Sequence, residues 1–305
     1  MRETIKVTSG EGERLDLFLT HRLGLSRSQT QKYLKQAQVC VNGEDAYART
    51  NVKEGDVIEM DAYEAPLHAP APLLPDILYE DDDVLVLNKP SGLKVHPSSE
   101  HDPDPVLTQA LVVSYPAMGA IGDDPTIRPG LVHRLDKEAS GVLITAKTAQ
   151  AYAFLKAQFK ERAAKKIYTV LVYGTPSKPH GELQFRLERS KDKGTMIAHP
   201  AGSDRGREAQ TEYDVIRSFS TTSLLRVQIH TGRTHQIRAH FLAIDHPVVG
   251  DTLYRKRHMK HIREIPLGRL FLHASELTIT LPSGETRTFT APLPDQLEDV
   301  LQSLT

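Results

Sequence analysis

Cysteine is almost missing from this 305-residue chain. The single residue, Cys40, cannot form an internal disulfide, and one thiol rules out every cysteine-based zinc pattern. Such usage suits a reducing compartment, so the expected location is cytoplasmic. Cys40 lies in Val39-Cys40-Val41 and reads as a small buried hydrophobe. Long apolar runs are also missing. No stretch of 18 uninterrupted apolar residues occurs, so no transmembrane helix and no membrane partner are expected. The opening MRETIKVTSGEGERLD is charged and has no apolar signal core, which argues against secretion. There is no Walker-type Gly-Lys-Ser/Thr, no Gly-x-Ser-x-Gly elbow, no His-Glu-x-x-His and no dinucleotide fingerprint. The 14 histidines leave a His/carboxylate metal site to weigh. His235 and His240, five apart, do not share a helical face, and the expectation is no metal.

What is present is ordinary for a globular chain: 39% hydrophobic and 25% charged residues. The length favours two domains, one with a sizeable core and one small module. The net charge of −1 conceals an asymmetry. Between Arg128 and Arg269 there are 26 Lys and Arg against 13 Asp and Glu; the rest of the chain has 12 against 26. A basic half of this size points to a polyanion such as nucleic acid, the plainer reading being a solvated surface with a compensating acidic face.

Residues 13–61 read as a small α/β module. Leu15, Phe18, Leu19 and Leu23 recur at helical spacing. Ser26 is the expected N-cap of a second helix, 26–36, with Gln29 completing a capping box. Val39–Val41 is a strand ending in the Asn42-Gly43 turn signal, and Asp56–Met60 is another. Arg14, Arg22, Arg27, Lys32 and Lys35 fall within the two helices against one acid, Asp16, and are the residues expected to bind RNA. Residues 62–75, with four prolines, form a linker. The remainder, 76–300, reads as strand-rich and mixed. Strands are expected at 84–87, 142–146, 166–173, 209–219, 224–230, 270–281 and 286–291. Helices are expected at 148–164 and 234–245, the latter capped by Thr234.

Three segments could carry chemistry. In GLVHRLDKEASGVLITAK (130–147) a carboxylate, Asp136, stands among His133, Arg134 and Lys137 on a loop between buried strands. An adjacent arginine and shielding from water are what a carboxylate nucleophile or base needs; the plainer reading is an ion pair that fixes the loop. In 224–254 a strand runs through Thr231-Gly232-Arg233 into a helix that opens with His235, Gln236 and Arg238. His235 and Arg238, three apart, share a face. Donors there suit a phosphate or a carboxylate delivered from elsewhere. In KKIYTV (165–170) Tyr168 follows Lys166 on a strand, either a base-stacking platform or a core tyrosine.

Together these segments resemble the RluA-type family of RNA pseudouridine synthases. HRLDKEASG (133–141) resembles the family's catalytic loop, with Asp136 in the place of its essential aspartate. NKPSGLKVHP (88–97), KIYTVLVYG (166–174), TGRTHQIRAHFLAIDHPVVGD (231–251) and RLFLHASEL (269–277) are similar to its other motifs. Ala139 stands where a threonine is expected. Residues 13–60 resemble the RNA-binding module named after ribosomal small-subunit protein four, with Gln36-Ala37-Gln38 replacing a glycine-containing turn.

The resemblance implies an α+β fold, with a central mixed, mostly antiparallel bent sheet, flanking helices and the small N-terminal module. It implies isomerisation of uridine to pseudouridine in structured RNA, ribosomal RNA of the large subunit being favoured over transfer RNA, with no cofactor; the oligomeric state is not read from the sequence, and a monomer is the default expectation. By the same resemblance Asp136 would be the catalytic residue. Arg238 would hold it through a charge-assisted hydrogen bond, Tyr168 would stack on the uracil, and Arg134 would fill the gap left by the extruded nucleotide. His133, Lys166, Arg233, His235 and Gln236 would meet RNA. The competing readings are a non-catalytic RNA-binding or ribosome-assembly protein, a glycosidase releasing free uracil, and a structural protein.

Overall fold

The computed structural model describes residues 2–8, 12–23, 27–35, 37–61, 72–97, 102, 104–190, 194–255 and 264–304. The chain divides into two compact units: Met1–Ala69 with Pro97–Asp104, and Pro70–His96 with Pro105–Thr305. Most of the expected linker, residues 62–71, falls outside the described residues.

The first unit contains β1 (Arg2–Lys6), β2 (Glu13–Arg14), α1 (Leu15–Leu23), α2 (Arg27–Leu34), β3 (Val39–Val41), β4 (Glu44–Asp45), β5 (Asn51–Val52) and β6 (Val57–Asp61). Four strands pair in the order β1-β6-β3-β4, and β2 pairs with β5. Asn42 and Gly43 both take positive φ, 55° and 84°, as a two-residue hairpin turn demands. Leu15 and Leu19 of α1 join Ile5, Val39, Ile58 and Met60 in the core, and Cys40 is buried as expected. Arg14, expected on RNA, is largely committed within the unit. Its Nε and Nη2 donate to the fully buried Asp16 at 2.9 and 2.8 Å, and Gln31 Nε2 donates there as well at 3.0 Å. Burying a carboxylate requires such partners. Arg22 and Lys35 are exposed. Ser26 and the side chains of Arg27, Gln29 and Lys32 lie outside the described residues.

The second unit runs β7 (Ile77–Glu80), β8 (Val84–Lys89), α3 (Leu107–Ser114), a 3₁₀ turn (Pro116–Ala120), β9 (Ser140–Ala146), α4 (Ala149–Lys160), β10 (Lys165–Tyr173), β11 (His180–Arg189), β12 (Met196–Pro200), β13 (Arg207–Ser218), β14 (Thr222–Ile229), α5 (Gln236–Ala243), β15 (Leu272–Thr280), β16 (Thr286–Thr290) and α6 (Asp295–Ser303). The sheet order is β12-β11-β13-β14-β10-β15-β9-β8-β7, with β16 also on β15. Every pair is antiparallel except β9 with β15. This is the α+β class and the mixed, mostly antiparallel sheet that the resemblance implies.

The apolar run Val84–Leu87 follows from burial on both faces. Leu85 and Leu87 join one core with Leu143, Tyr168 and Val170, while Val84 and Val86 join a second with Val142, Ile144 and Leu155 of α4. Period-two alternation thus divides one strand between two cores. Thr148 caps α4 by accepting from Ala151 N at 3.1 Å.

Just after the Asp136 loop, Gly141 opens the parallel crossing of β9 and β15. Its φ is 114°, and a Cβ there would lie 2.2 Å from Ala274 O. Gly141→Ala should therefore lower stability by more than about 2 kcal/mol, the scale of a disallowed backbone conformation plus a backbone clash. The shift in denaturation midpoint at constant m-value measures it.

Candidate active site

Two of the sequence motifs are fastened to each other before any site is formed. Lys89, at the end of β8, is fully buried, and its Nζ donates to Pro90 O, Leu93 O and Lys137 O at 2.7, 2.9 and 3.3 Å. Gly92 N also donates to Lys137 O at 2.8 Å, and Ser91 Oγ to Glu138 O at 2.6 Å. The loop after β8 therefore grips the backbone on the C-terminal side of Asp136. Beyond it, Ser140 Oγ accepts from Arg269 Nη2 at 2.6 Å and pairs with His273 Nδ1 at 2.9 Å. That contact ties the closing motif to the same loop. Leu135 and Ala139 anchor the loop in the main core, so the methyl of Ala139 suffices where a threonine was expected.

Between these anchors Asp136 faces an open cleft. Arg134, Tyr168, Ile229, Arg233, His235, Gln236 and Leu272 share its walls. The Asp136 side chain is 14% exposed and that of Arg238 4%. Arg238 reaches Asp136 from α5, but differently from the expectation. Its Nε and Nη2 bind Asp251 at 2.7 and 2.9 Å in a two-pronged pair, and only Nη1 turns to the loop. Nη1 stands 3.6 Å from Asp136 Oδ2 and 3.6 Å from Glu138 Oε2. The contact with Asp136 is thus an ion pair rather than a close hydrogen bond, because the fork geometry of guanidinium is spent on Asp251. Burial is the largest influence on Arg238 and opposes its charge; Asp251, Asp136 and Glu138 outweigh it and raise its pKa above the ordinary value.

Asp251 was missed at the sequence level. It is fully buried, and besides Arg238 its Oδ1 accepts from Leu253 N and Tyr254 N, both at 2.9 Å. Tyr254 was missed too; its ring lies 4.9 Å from the Arg238 guanidinium carbon. The signal was present as Gly-Asp-x-x-Tyr at 250–254, directly after a strand-like Val-Val.

Other residues depart from expectation. The helix runs Gln236–Ala243 rather than 234–245, and its N-cap is His235, with φ 51°, not Thr234. Gln236 is used up inside the protein rather than free for RNA. Its Oε1 accepts from Thr231 Oγ1 and Arg233 N, and its Nε2 donates to Gln210 O and Thr211 Oγ1. His133 is also withdrawn from RNA. Its Nε2 accepts from Ile144 N at 3.0 Å and its ring stacks on Phe159 at 4.6 Å. Burial, helped by Lys166, pushes its pKa down to about 3, which keeps it the neutral acceptor this bond requires. Lys166 does not line the cleft; a bulge between Ile167 and Tyr168 interrupts the strand beside it. Tyr168 is the core residue of the plainer expectation, and it also forms part of the cleft wall. Burial and Asp136 raise its phenol pKa, so it stays neutral. Arg134 is exposed, with Nη1 3.1 Å from His96 Nε2. Arg233 lines the cleft and donates from Nε to Glu208 O at 3.1 Å. Among the described residues no cluster of three or more His, Cys, Asp or Glu side chains could hold a metal. No helix among them is long and apolar enough to cross a membrane.

Removing one partner of a buried ion pair leaves the other charge uncompensated. Asp251→Ala should cost about 3 kcal/mol, read as a lower midpoint in urea. A change below about 0.5 kcal/mol would mean that Asp251 does not hold Arg238.

Residues 83–243 match the family model described as RNA pseudouridylate synthase, and residues 13–58 match the S4 domain. The chain is 40% identical over 304 residues to an uncharacterized RNA pseudouridine synthase of Chloroflexus aurantiacus, covering 96% of this chain and 90% of that one. It is 33% identical to the ribosomal large subunit pseudouridine synthase D of Xanthomonas campestris, covering 100% and 92%. Among solved structures, human RNA pseudouridylate synthase domain containing 4 superposes with a TM-score of 0.59 at 26% identity, covering 75% of this chain and 92% of that one. With the Asp136 cleft carried on that fold and an S4 domain before it, this chain belongs to the RNA pseudouridine synthases.

Proposed function

We propose that the Asp136 cleft converts uridine to pseudouridine in large-subunit ribosomal RNA without a cofactor. The observation that carries this reading is one carboxylate at the wall of an open cleft, facing the nitrogen of a buried arginine that Asp251 leaves to the loop. The substrate class rests on relatives whose names specify the ribosomal large subunit, and on the S4 domain.

The reaction breaks the C1′–N1 bond of uridine, turns the uracil within the cleft and joins C1′ to C5. The proton on C5 leaves and N1 gains one, so the RNA keeps its mass and no redox partner is consumed. Asp136 either attacks C1′ or removes the proton from C2′ to give a glycal. In both routes negative charge leaves the carboxylate as bonds form and returns when it is released. Arg238 Nη1, fixed by Asp251, holds the carboxylate facing the sugar throughout. Tyr168 lies against the uracil and limits where the detached base can travel. Arg134, at the exposed rim, takes the place of the extruded nucleotide in its stack, a rearrangement costing a few kcal/mol. Arg233 meets a phosphate, and the N-terminal module, with exposed Arg22 and Lys35, adds affinity for the RNA backbone. The protein acts as a cytoplasmic monomer.

Asp136→Asn should abolish pseudouridine formation in ribosomal RNA, assayed by site-resolved pseudouridine mapping, while RNA affinity stays within a few fold. Turnover retained by this variant would remove the carboxylate from the mechanism. Tyr168→Ala should slow the single-turnover step at least tenfold; an unchanged rate would count against stacking.

A further inference from the structure

His235 lines the cleft beside Asp136 and Tyr168. His235 caps α5 in a left-handed conformation, φ 51° and ψ 26°, which residues with a Cβ seldom adopt. Its ring meets that of Tyr254 edge-on, at 5.5 Å and 88°, and its Nδ1 lies 2.9 Å from Tyr254 Oη. Tyr254 Oη also accepts the backbone N–H of Met196 at 2.6 Å. Tyr254 is buried, and among the described residues Nδ1 is the one acceptor within reach of its phenol proton, so that proton points to Nδ1. A neutral imidazole accepting at Nδ1 must carry its hydrogen on Nε2. Nε2 makes no hydrogen bond to the described residues, and the ring lines the same cleft as Asp136 and Tyr168.

We propose that His235 is a tautomer-locked hydrogen-bond donor to a carbonyl oxygen of the reacting uracil, and that Tyr254 is the positioning residue that sets the lock. The ligand assigned here rests on the reading of the cleft given above. When the C1′–N1 bond breaks, its electron pair stays with the uracil, and the negative charge spreads over N1 and the two carbonyl oxygens. A preset N–H stabilises that charge more than it stabilises the neutral base, so it accelerates the chemical step rather than tightening binding. No proton leaves His235. Uracil's carbonyls suit this donor better than phosphates do, because His235 shares its wall with Asp136 and Tyr168 while the arginine side chains Arg134 and Arg233 supply charge for the backbone. The groups around the imidazole are Asp136 and Glu138 from the loop, Arg238 from α5, and Asp251 and Tyr254 from the segment after it. Burial, reinforced by Arg238, outweighs the pull of the three carboxylates and keeps the ring's pKa below its ordinary value.

The test uses the full chain and an RNA in which the wild-type protein forms pseudouridine. Imidazole nitrogen-15 NMR of the free protein at pH 7 should show His235 protonated at Nε2 alone. A Nδ1–H ring would overturn the lock regardless of what happens to RNA. In single turnover, His235→Leu should react at least a hundredfold more slowly with RNA affinity within threefold, and His235→Gln, which restores an N–H, should recover at least tenfold. A leucine variant as fast as wild type, or a glutamine variant no faster than leucine, would overturn the donor. Tyr254→Phe keeps the ring and frees Nδ1. Neutral His235 then divides between tautomers, so this variant should lose rate as pH rises through the depressed pKa of the imidazole, below its ordinary value, where the wild type stays flat. A profile parallel to wild type would overturn the role given to Tyr254. If the wild type formed no pseudouridine in any RNA, the reading of the cleft would fail and take the proposed ligand with it, while the NMR result would still decide the lock.

Discussion

Everything in the cleft depends on where one buried guanidinium points. Arg238 has three nitrogens, and Asp251 takes two of them. Such a pair contributes little net stability once the desolvation of both charges is counted. Its value lies in geometry, because with two nitrogens occupied the third has one direction left, toward the loop that carries Asp136. Tyr254 lies over the same guanidinium and accepts a backbone N–H from β12. The orientation of Arg238 is thus set by a helix, a strand and the segment after α5 together. A site built this way reorganises little when charge moves through it.

The loop itself is held with equal redundancy. Lys89, Ser91 and Gly92 seize its backbone from one side, and Ser140 with Arg269 and His273 from the other. Burial presses the pKa of Lys89 down to about 7, yet three carbonyl acceptors around Nζ favour the ammonium, so its charge works as a fastener rather than as a reagent. Distant stretches of sequence that each look like separate motifs are, physically, the parts of one clamp around Asp136. This explains why polar residues of the NKPSGLKVHP stretch lie buried or hydrogen-bonded without facing the cleft.

Much of this was legible in the sequence. The strands at 39–41, 84–87, 142–146 and 166–173 came from runs whose apolar content or alternation left little choice, and Asp136 stood out because cations crowd it on a loop between such strands. What escaped notice was the identity of partners. A buried Asp251 looks like any surface aspartate in sequence, since its burial depends on Arg238 arriving from another element. His133 and Gln236 looked like ligand donors because their own protein partners, Ile144 N and the carbonyl and hydroxyl groups of β13, cannot be located without the fold. His235 displaced Thr234 as the cap because the tight turn after Gly232 needs a left-handed residue at that position, and a side-chain hydroxyl is a weaker determinant than that backbone path. Helices α3 and α6 and the hairpin of β11 and β12 carry short or mixed patterns that announce little on their own.

The central claim is that the carboxylate of Asp136 meets the sugar of a uridine drawn out of its RNA. The most direct measurement is a crystal structure of the full chain with an RNA carrying 5-fluorouridine at the modified position, where fluorine replaces the proton whose loss completes the isomerisation. The account predicts the nucleoside inside the cleft, its base against Tyr168 and an Asp136 oxygen within about 3.5 Å of C1′ or C2′. A uridine left stacked in its strand, or bound with its sugar remote from Asp136, would contradict it.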